Sequence, residues 1–405
     1  MPLSGRTSPS GRNCDDWIEE YLKYVEYTEP PTSFHRWTAI GCISAALQRK
    51  VYMDWGFERI FPNLYIVLLG PAAQTRKSTA LRIGEDLVRD LGIPMIGQDN
   101  SPESVIREIK KATTNFQDGT NVKIQSAVVN FSSELSVFLG RQNTDFHKYL
   151  TDWYDSPTEW KRTTKHQGID DITGMCFVLV GAMAPDWIPF VFTPESIGGG
   201  FTSRIFFVPE DRKSKTIVNP NKCPPPNGRR DRLLADLRHI QGEIVGPMKL
   251  SPQAEQFYEE WYARTDAEML DHGKFAVPDK SFHTYCGRRP TLLRKVAMCI
   301  SASKKDLPLI ELEDIQQALF YMEESEAKMP GMFAGVGRSP QAAQVQGVLD
   351  YVRIVKKIKK SAVLQTMMQD LSADDLDGIE RTLEASKLVR ITRLTDENDT
   401  LYELL

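Results

Sequence analysis

A lysine and two hydroxyl residues follow a glycine at the end of an apolar segment. Residues 64–79 read LYIVLLGPAAQTRKST, so Gly70 ends a strand pattern and Lys77 and Ser78 come at the start of a helical one. Such a loop lets backbone N–H groups surround a phosphate at a helix N-terminus, while lysine contacts its oxygens and the hydroxyl binds Mg²⁺. We therefore predict that ATP and Mg²⁺ bind to Gly70, Gln74, Thr75, Arg76, Lys77, Ser78 and Thr79.

The loop departs from the standard P-loop motif G-x-x-x-x-G-K-[ST] in its spacing. Lys77 comes seven residues after Gly70 instead of six, and Arg76 stands in place of the second glycine. Aligned from the left, the motif would make Arg76 the phosphate ligand and put Lys77 at the magnesium position. We align it from the right, which leaves Arg76 turned away from the phosphates. A strand, turn and helix with an incidental Lys-Ser-Thr is the alternative.

A second strand pattern supplies a candidate carboxylate. Residues 127–131 (AVVNF) are apolar, and they lead to Ser133 and Glu134. P-loop ATPases have an acidic pair at this point, in which glutamate polarises the attacking water and aspartate steadies magnesium. Glu134 suits the first role, but Ser133 replaces the aspartate. We expect Glu134 to be catalytic and to share the magnesium ion with Ser78.

Two more apolar segments complete the predicted sheet. Residues 176–185 (CFVLVGAMAP) predict a strand that lies between the first two. Arg204, in GGGFTSRIFFVPED, comes at the beginning of the last strand pattern. An arginine there can contact the γ-phosphate that a neighbouring subunit holds, so we expect Arg204 to be an arginine finger.

The order of these motifs resembles that of AAA+ helicases, particularly the minichromosome maintenance branch, and more closely the P-loop helicase-like ATPases of phages and mobile elements. The resemblance covers roughly residues 30–325 and rests on FHRWTA, PNLY, GPAAQTRKST and GFTSR. It implies an α/β fold with an AAA+ P-loop core, a parallel sheet, a helical lid and a ring of subunits, expected to be a hexamer. Ala184 departs from the asparagine or threonine of the family's sensor motif.

Two basic clusters are further candidates for ligand contacts. In GRRPTLLRKVAM, Arg294 has the spacing within a lid helix that we prefer for contact with the γ-phosphate of the same subunit; a surface arginine is nearly as good an interpretation. Residues 159–168 (EWKRTTKHQG) predict a β-hairpin before the third strand, which in related helicases enters the central channel of the ring. Backbone phosphates of single-stranded DNA would then contact Lys161, Arg162, Lys165 and His166. A solvated surface turn is the alternative.

The patterning divides the 405 residues into successive parts. Residues 331–339 read as a linker, and three helices and a two-stranded wing follow it, which predicts a winged helix. The parts we predict are a disordered tail (1–13), a helical collar (14–60), the P-loop ATPase core (61–211), a connection and helical lid (212–330) and a winged-helix domain (340–405).

The third helix of the predicted winged helix is acidic, with five carboxylates against Arg381 between residues 373 and 386. DNA phosphates would repel it. We therefore favour contact with a protein, such as a replication partner, or a role as a regulatory tail. DNA contact through the wing or through basic residues before this helix is the alternative; the latter are Arg353, Lys356, Lys357, Lys359 and Lys360.

Composition limits the remaining possibilities. The formal net charge is −4, so any contact with nucleic acid must be local. The six cysteines form no C-x-x-C pair and are typical of buried thiols in a reducing compartment. Because the sequence contains no 18-residue apolar run and begins with a polar segment, we expect a cytoplasmic protein without membrane contact.

Two functions fit these expectations. The first is an ATP-dependent DNA helicase or translocase, a ring acting in replication of a phage or mobile element. The second is an ATP-dependent assembly switch or helicase loader, which turns over slowly and binds a protein partner. Ser133 and Ala184 favour the second. A scaffold without activity fits less well, since the lysine, glutamate and arginine all occur at suitable strand ends.

Overall fold

A computed structural model shows a mixed α/β protein with a central parallel sheet. The chain divides into two compact units, Met1–Ala334 and Gly335–Leu405. Lys165 and His166, two of the predicted DNA contacts, lie outside the residues that the structure describes. Those residues are 11–164, 168–198, 200–222, 227–333, 340–367, 373–386, 388–394 and 399–404.

The first unit begins with two helices and a β-hairpin and continues into the central sheet. The elements up to the end of that sheet are α1 (Trp17–Tyr24), α2 (Thr32–Leu47), β1 (Val51–Trp55), β2 (Glu58–Ile60), β3 (Tyr65–Leu69), α3 (Lys77–Arg89), β4 (Met95–Ile96), α4 (Pro102–Lys111), β5 (Thr113–Asp118), β6 (Asn121–Ser132), α5 (Leu135–Leu139), α6 (Thr144–Tyr154), β7 (Glu159–Thr164), β8 (Gly168–Thr173), β9 (Met175–Met183), α7 (Ile188–Val191), α8 (Pro194–Gly198) and β10 (Ile205–Pro209).

The central sheet contains five parallel strands in the order β10-β3-β9-β6-β4, and β5 pairs antiparallel with β6. The strands β3 and β9 are buried along their whole length. Parallel strands covered on both faces read as continuous apolar segments, which is why the sequence predicts β3, β6, β9 and β10. The position of β9 between β3 and β6 is also confirmed.

The helix α2 lies in the core of the first unit. Almost all of its residues are buried, as expected of a helix that is apolar on every side. Trp37 stacks on Phe206 with ring centroids 3.9 Å apart, and a Cβ on Gly41 would lie 2.7 Å from the Val180 side chain of β9. Residues 14–60, predicted as a helical collar, contain α1, α2, β1 and β2, and α2 packs directly on the sheet.

Helices also dominate the rest of the first unit. The helix α11 is buried over most of its length and packs against both α2 and α12. The elements are α9 (Arg229–Glu243), β11 (Gly246–Pro247), β12 (Lys249–Leu250), α10 (Pro252–His272), α11 (His283–Lys304), β13 (Leu309–Ile310) and α12 (Leu312–Glu326).

The second unit contains three helices and a small antiparallel sheet in the order β14-β16-β15. Its core includes Val348, Leu376 and Tyr402. The three predicted helices and the two strands after them are present; the sequence analysis missed β14, which is only three residues long and mostly charged. The elements are α13 (Pro340–Val355), β14 (Lys357–Lys359), α14 (Lys360–Thr366), α15 (Ala373–Ser386), β15 (Val389–Leu394) and β16 (Asp399–Leu404).

Two further observations concern the described part of the chain. No helix in it combines the length and the apolar character that a membrane crossing requires. Its cysteines are buried free thiols, as the sequence predicts: Cys14, Cys42, Cys176, Cys286 and Cys299.

Candidate functional site

The loop between β3 and α3 closes around the side chain of Lys77. Its Nζ donates hydrogen bonds to the carbonyl oxygens of Gly70, at 2.5 Å, and Pro71, at 3.1 Å, and the residue is only 9% exposed. Burial lowers the pKa of Lys77, and the negative charge of Glu134 opposes that shift. The structure therefore places the predicted phosphate lysine inside the loop, within electrostatic reach of the predicted catalytic carboxylate.

Gly70 is required by a close approach of the backbone. A Cβ at this position would lie 2.5 Å from the Glu210 carbonyl oxygen and 2.8 Å from the Thr75 side chain, both too close to be tolerated without movement. Thr75 is buried under the loop, whereas Gln74 is exposed and accepts a hydrogen bond from the Lys213 backbone N–H. The segment after β10 thus packs directly on the loop.

Arg76 adopts a left-handed backbone conformation, with φ 57°. Its side chain points to Glu29, whose Oε2 accepts a hydrogen bond from Arg76 Nε at 2.9 Å. A left-handed position just before the lysine explains why the standard motif has glycine there. The geometry supports alignment of the motif on Lys77, and Ser78 and Thr79 then lie in the first turn of α3, where the Thr79 N–H donates to the Arg76 carbonyl at 3.0 Å.

Polar side chains join the ends of β6 and β4 next to this loop. Ser133 Oγ donates to Gln98 Oε1 at 3.0 Å, and Asn130 Nδ2 donates to the Ile96 carbonyl at 3.0 Å. Among the described residues, the buried Oδ1 of Asn130 has no hydrogen-bond partner. The sequence analysis missed Asn130, although a lone asparagine in the apolar segment AVVNF was a usable signal. Glu134 is exposed and directly precedes α5.

Arg204 lies at the opposite edge of the sheet from Lys77. In the parallel pairing of β10 with β3, Ile205 is opposite Tyr65 and Pro209 is opposite Leu69. Arg204 therefore comes next to the beginning of β3, whereas the phosphate-binding loop follows its end. A five-residue strand separates these two points by about 13 Å. In this structure the two side chains are held apart: Arg204 contacts Asp155 and Gly200, whereas Lys77 contacts the carbonyl oxygens of Gly70 and Pro71.

The Arg204 guanidinium is almost buried and is held by groups of its own chain. Its Nη2 donates to Asp155 Oδ2 at 2.7 Å and its Nη1 donates to the Gly200 carbonyl at 3.0 Å. Arg288 Nη1 lies 3.5 Å from the other oxygen of Asp155. Among the described residues, Arg204 Nε has no partner. One carboxylate thus joins two arginines at the edge where β3 and β10 begin.

Arg294 does not reach the phosphate-binding loop. Its guanidinium lies 4.2 Å from the centre of the Trp55 ring and donates to the Pro290 carbonyl within its own helix. The next residue, Lys295, donates to the carbonyl of Asn63, which lies just before β3. The beginning of β3 is at the edge of the sheet opposite Lys77. The predicted contact of Arg294 with the γ-phosphate of its own subunit is therefore wrong. The spacing of residues within a helix does not indicate that one of them is buried against an aromatic residue far away in the sequence.

The hairpin predicted within residues 159–168 is present as β7 and β8, but its described cations have acidic partners. Lys161 Nζ lies 3.2 Å from Glu159 and 3.6 Å from Asp171. Arg162 Nη2 lies 3.0 Å from Glu103 on α4. Asp171 on the returning strand and Glu103 on α4 lie outside the segment 159–168, so the charges of that segment alone do not reveal these pairs.

Comparisons with known proteins add no assignment to this geometry. A comparison with models of protein families found no match, and neither did a comparison with curated proteins. The interpretation of the site therefore depends on its residues: a lysine-containing loop with a nearby carboxylate at one edge of the sheet, and an arginine pair at the other.

Proposed function

We propose that the chain is an AAA+ P-loop ATPase that assembles into a ring, expected to be a hexamer, and works as a helicase or translocase on DNA during replication of a phage or mobile element. One observation carries the proposal: Lys77 and Arg204 lie at opposite edges of the same sheet. A nucleotide that needs both residues must lie between two copies of the chain, and a ring supplies that interface to every subunit.

The residues around the loop fit a nucleotide with magnesium. Gly70 leaves room for close backbone approach, and Lys77 is a buried cation that only loop carbonyls contact in the described structure. Ser78 would hold magnesium, which neutralises phosphate charge when it is bound, and Glu134 would accept a proton from the attacking water. No group of three or more His, Cys, Asp or Glu side chains in the described ranges can hold a metal, so phosphate oxygens would complete the magnesium shell.

The assignment to DNA depends on two elements. The hairpin β7–β8 precedes β9, the position from which related helicases contact a threaded strand. The three helices and small antiparallel sheet of the second unit fit a winged helix. Its helix α15 is acidic, which favours a protein partner over DNA, and two of its carboxylates, Asp377 and Glu380, pair with Lys360. We expect this unit to bind another replication protein and the hairpin to bind single-stranded DNA.

A slow assembly switch or helicase loader is the second candidate. The described cations of the hairpin, Lys161 and Arg162, are paired with acids, which reduces their attraction for phosphates. Ser133, bonded to Gln98, stands where aspartate would help to hold magnesium. If DNA stimulates hydrolysis and the double substitution Lys161→Ala, Arg162→Ala abolishes that stimulation, the motor is favoured. If DNA does not change the rate of hydrolysis, the switch is favoured.

Mixing two inactive variants tests the shared site. Lys77→Ala should abolish nucleotide binding, because no other cation in the described residues lies inside the loop. Arg82→Ala, on the exposed side of α3, is the control and should leave nucleotide binding unchanged. Arg204→Ala should bind nucleotide and fail to hydrolyse it.

A one-to-one mixture of the Lys77→Ala and Arg204→Ala proteins should regain up to about a quarter of the wild-type ATPase rate, the share of random interfaces with an intact loop and an intact arginine. A mixture that stays inactive, with both proteins folded, would exclude a site shared between subunits.

A further inference from the structure

A basic cavity of about 600 Å³ opens at the edge of the sheet where β3 begins. It lies against Lys295, which donates hydrogen bonds to the carbonyl oxygens of Asn63 and Tyr154. More cations than carboxylates line it, so it attracts an anion. The charged residues of its wall are Arg49, Arg59 and Arg288 against Glu58 and Asp155, and burial lowers the pKa of the fourth basic residue, Lys295, to about 7.

Asp155 is the carboxylate of this wall that contacts two arginines. It accepts a hydrogen bond from Arg204 at 2.7 Å and lies 3.5 Å from Arg288. Its side chain is 52% exposed, whereas that of Arg204 is only 8% exposed. The carboxylate therefore covers the solvent side of a buried guanidinium. Because the carboxylate is half exposed, an incoming anion can reach it from solvent and replace it, which keeps the buried guanidinium paired with a negative charge.

The other contacts of Arg204 hold it in place when the carboxylate leaves. Its Nη1 stays bonded to the Gly200 carbonyl, and its guanidinium lies 5.9 Å from the centre of the Tyr154 ring. Within the described structure, Nε has no partner and remains available as a donor. A phosphate offers several charged oxygens, and a guanidinium binds two of them at once more strongly than it binds water.

We propose that Asp155 restrains Arg204 and Arg288 in the free subunit, and that the terminal phosphate of a nucleotide held by a neighbouring copy displaces it when subunits assemble. This inference rests on the proposed function, since the phosphate comes from the loop of Lys77 in the other copy. Asp155 thereby sets the protein concentration at which the shared site forms. It is a restraining residue and takes no part in the chemical step.

The test uses the mixture of the Lys77→Ala and Arg204→Ala proteins and introduces Asp155→Asn into one of the two at a time. On the Lys77→Ala subunit, which supplies the intact Arg204, the substitution should lower the protein concentration for half-maximal ATPase by about two- to fivefold, the range expected for loss of an exposed ion pair. On the Arg204→Ala subunit it should change nothing. Asp152 is an exposed aspartate in the last turn of α6, which Asp155 directly follows; Asp152→Asn is the matched control and should have no effect on either subunit.

The outcomes separate the two proposals. If the mixture without Asp155→Asn is inactive, the shared site itself fails and the restraint fails with it. If the mixture is active and Asp155→Asn has the same effect, or none, on both subunits, only the restraint is refuted.

A lower maximal rate with an unchanged half-maximal concentration would show that Asp155 positions Arg204 for the reaction, which also refutes the restraint. The melting temperature of each variant shows whether a folding defect, instead of a change in assembly, explains the result. Asp155→Glu preserves the charge and should restore wild-type behaviour.

Discussion

Replacement of Arg76 tests how the phosphate-binding loop is built. Its φ of 57° places it in the left-handed region, which costs a residue with a Cβ about 1–2 kcal/mol. Arg76→Gly removes this cost but raises the entropy of the unfolded chain by about 0.4–1 kcal/mol, whereas Arg76→Ala retains the cost. Both variants lose the same ion pair with Glu29, so that contribution cancels between them. We expect Arg76→Gly to be about 1 kcal/mol more stable than Arg76→Ala.

Urea unfolding of the two variants, compared at equal m value, measures this difference. Arg82 provides the control, because it is exposed on α3, where the backbone is helical. At Arg82 the order should reverse, with alanine about 1 kcal/mol more stable than glycine. ATP affinity should remain at least that of the wild type in both Arg76 variants. Greater stability of Arg76→Ala than of Arg76→Gly, the order expected at Arg82, would refute the left-handed conformation. Weaker ATP binding by either variant would refute the alignment of the motif on Lys77.

Three further predictions concern the catalytic carboxylate, the arginine loop and acid stability. Glu134→Gln should bind ATP normally and slow single-turnover hydrolysis by a factor on the order of 10² or more, and normal hydrolysis would show that the carboxylate lies elsewhere. Gly200→Ala should leave nucleotide affinity intact and reduce the ATPase rate, because Gly200 has φ +99° and an added Cβ would lie 3.1 Å from Arg204 Nη1; a wild-type rate would contradict this geometry. Burial lowers the pKa of His147 to about 4, so the folded state binds fewer protons than the unfolded one between pH 6.5 and 4. The wild type should therefore lose up to about 1.4 kcal/mol of stability per pH unit from this residue as pH falls through that range. His147→Phe should remove this part of the acid dependence, measured as melting temperature against pH, and an unchanged slope would refute the assignment.

The sequence predicts those features whose physical causes are local. The strands β3 and β9 are apolar along their whole length because both faces are covered, and that pattern is visible without any partner. The loop after β3 depends on Gly70, Lys77 and Ser78, which are neighbours in the chain. The hairpin β7–β8 likewise follows from a short run of polar residues around a glycine.

Features that depend on distant partners were not predictable in the same way. Arg294 stacks on Trp55, more than 200 residues earlier, and nothing in the spacing of the lid helix indicates this contact. Arg162 pairs with Glu103 across two elements, so counting charges along the hairpin overestimates its attraction for phosphate. Asp155 could be seen as an acidic residue, but its position beside Arg204 depends on the end of α6 packing at the beginning of β3, where Asn63 Nδ2 donates to the Tyr154 carbonyl.

The strand β10 connects the two edges of the sheet mechanically. Arg204 precedes it, and Glu210 follows it with a backbone N–H that donates to Leu69 and a carbonyl in close approach to Gly70. All five residues of β10 pair with β3, so the strand is a direct structural link between Arg204 and the loop that contains Lys77. In the proposed ring, this link would couple the arginine that a subunit offers at one interface to the lysine that it offers at the next.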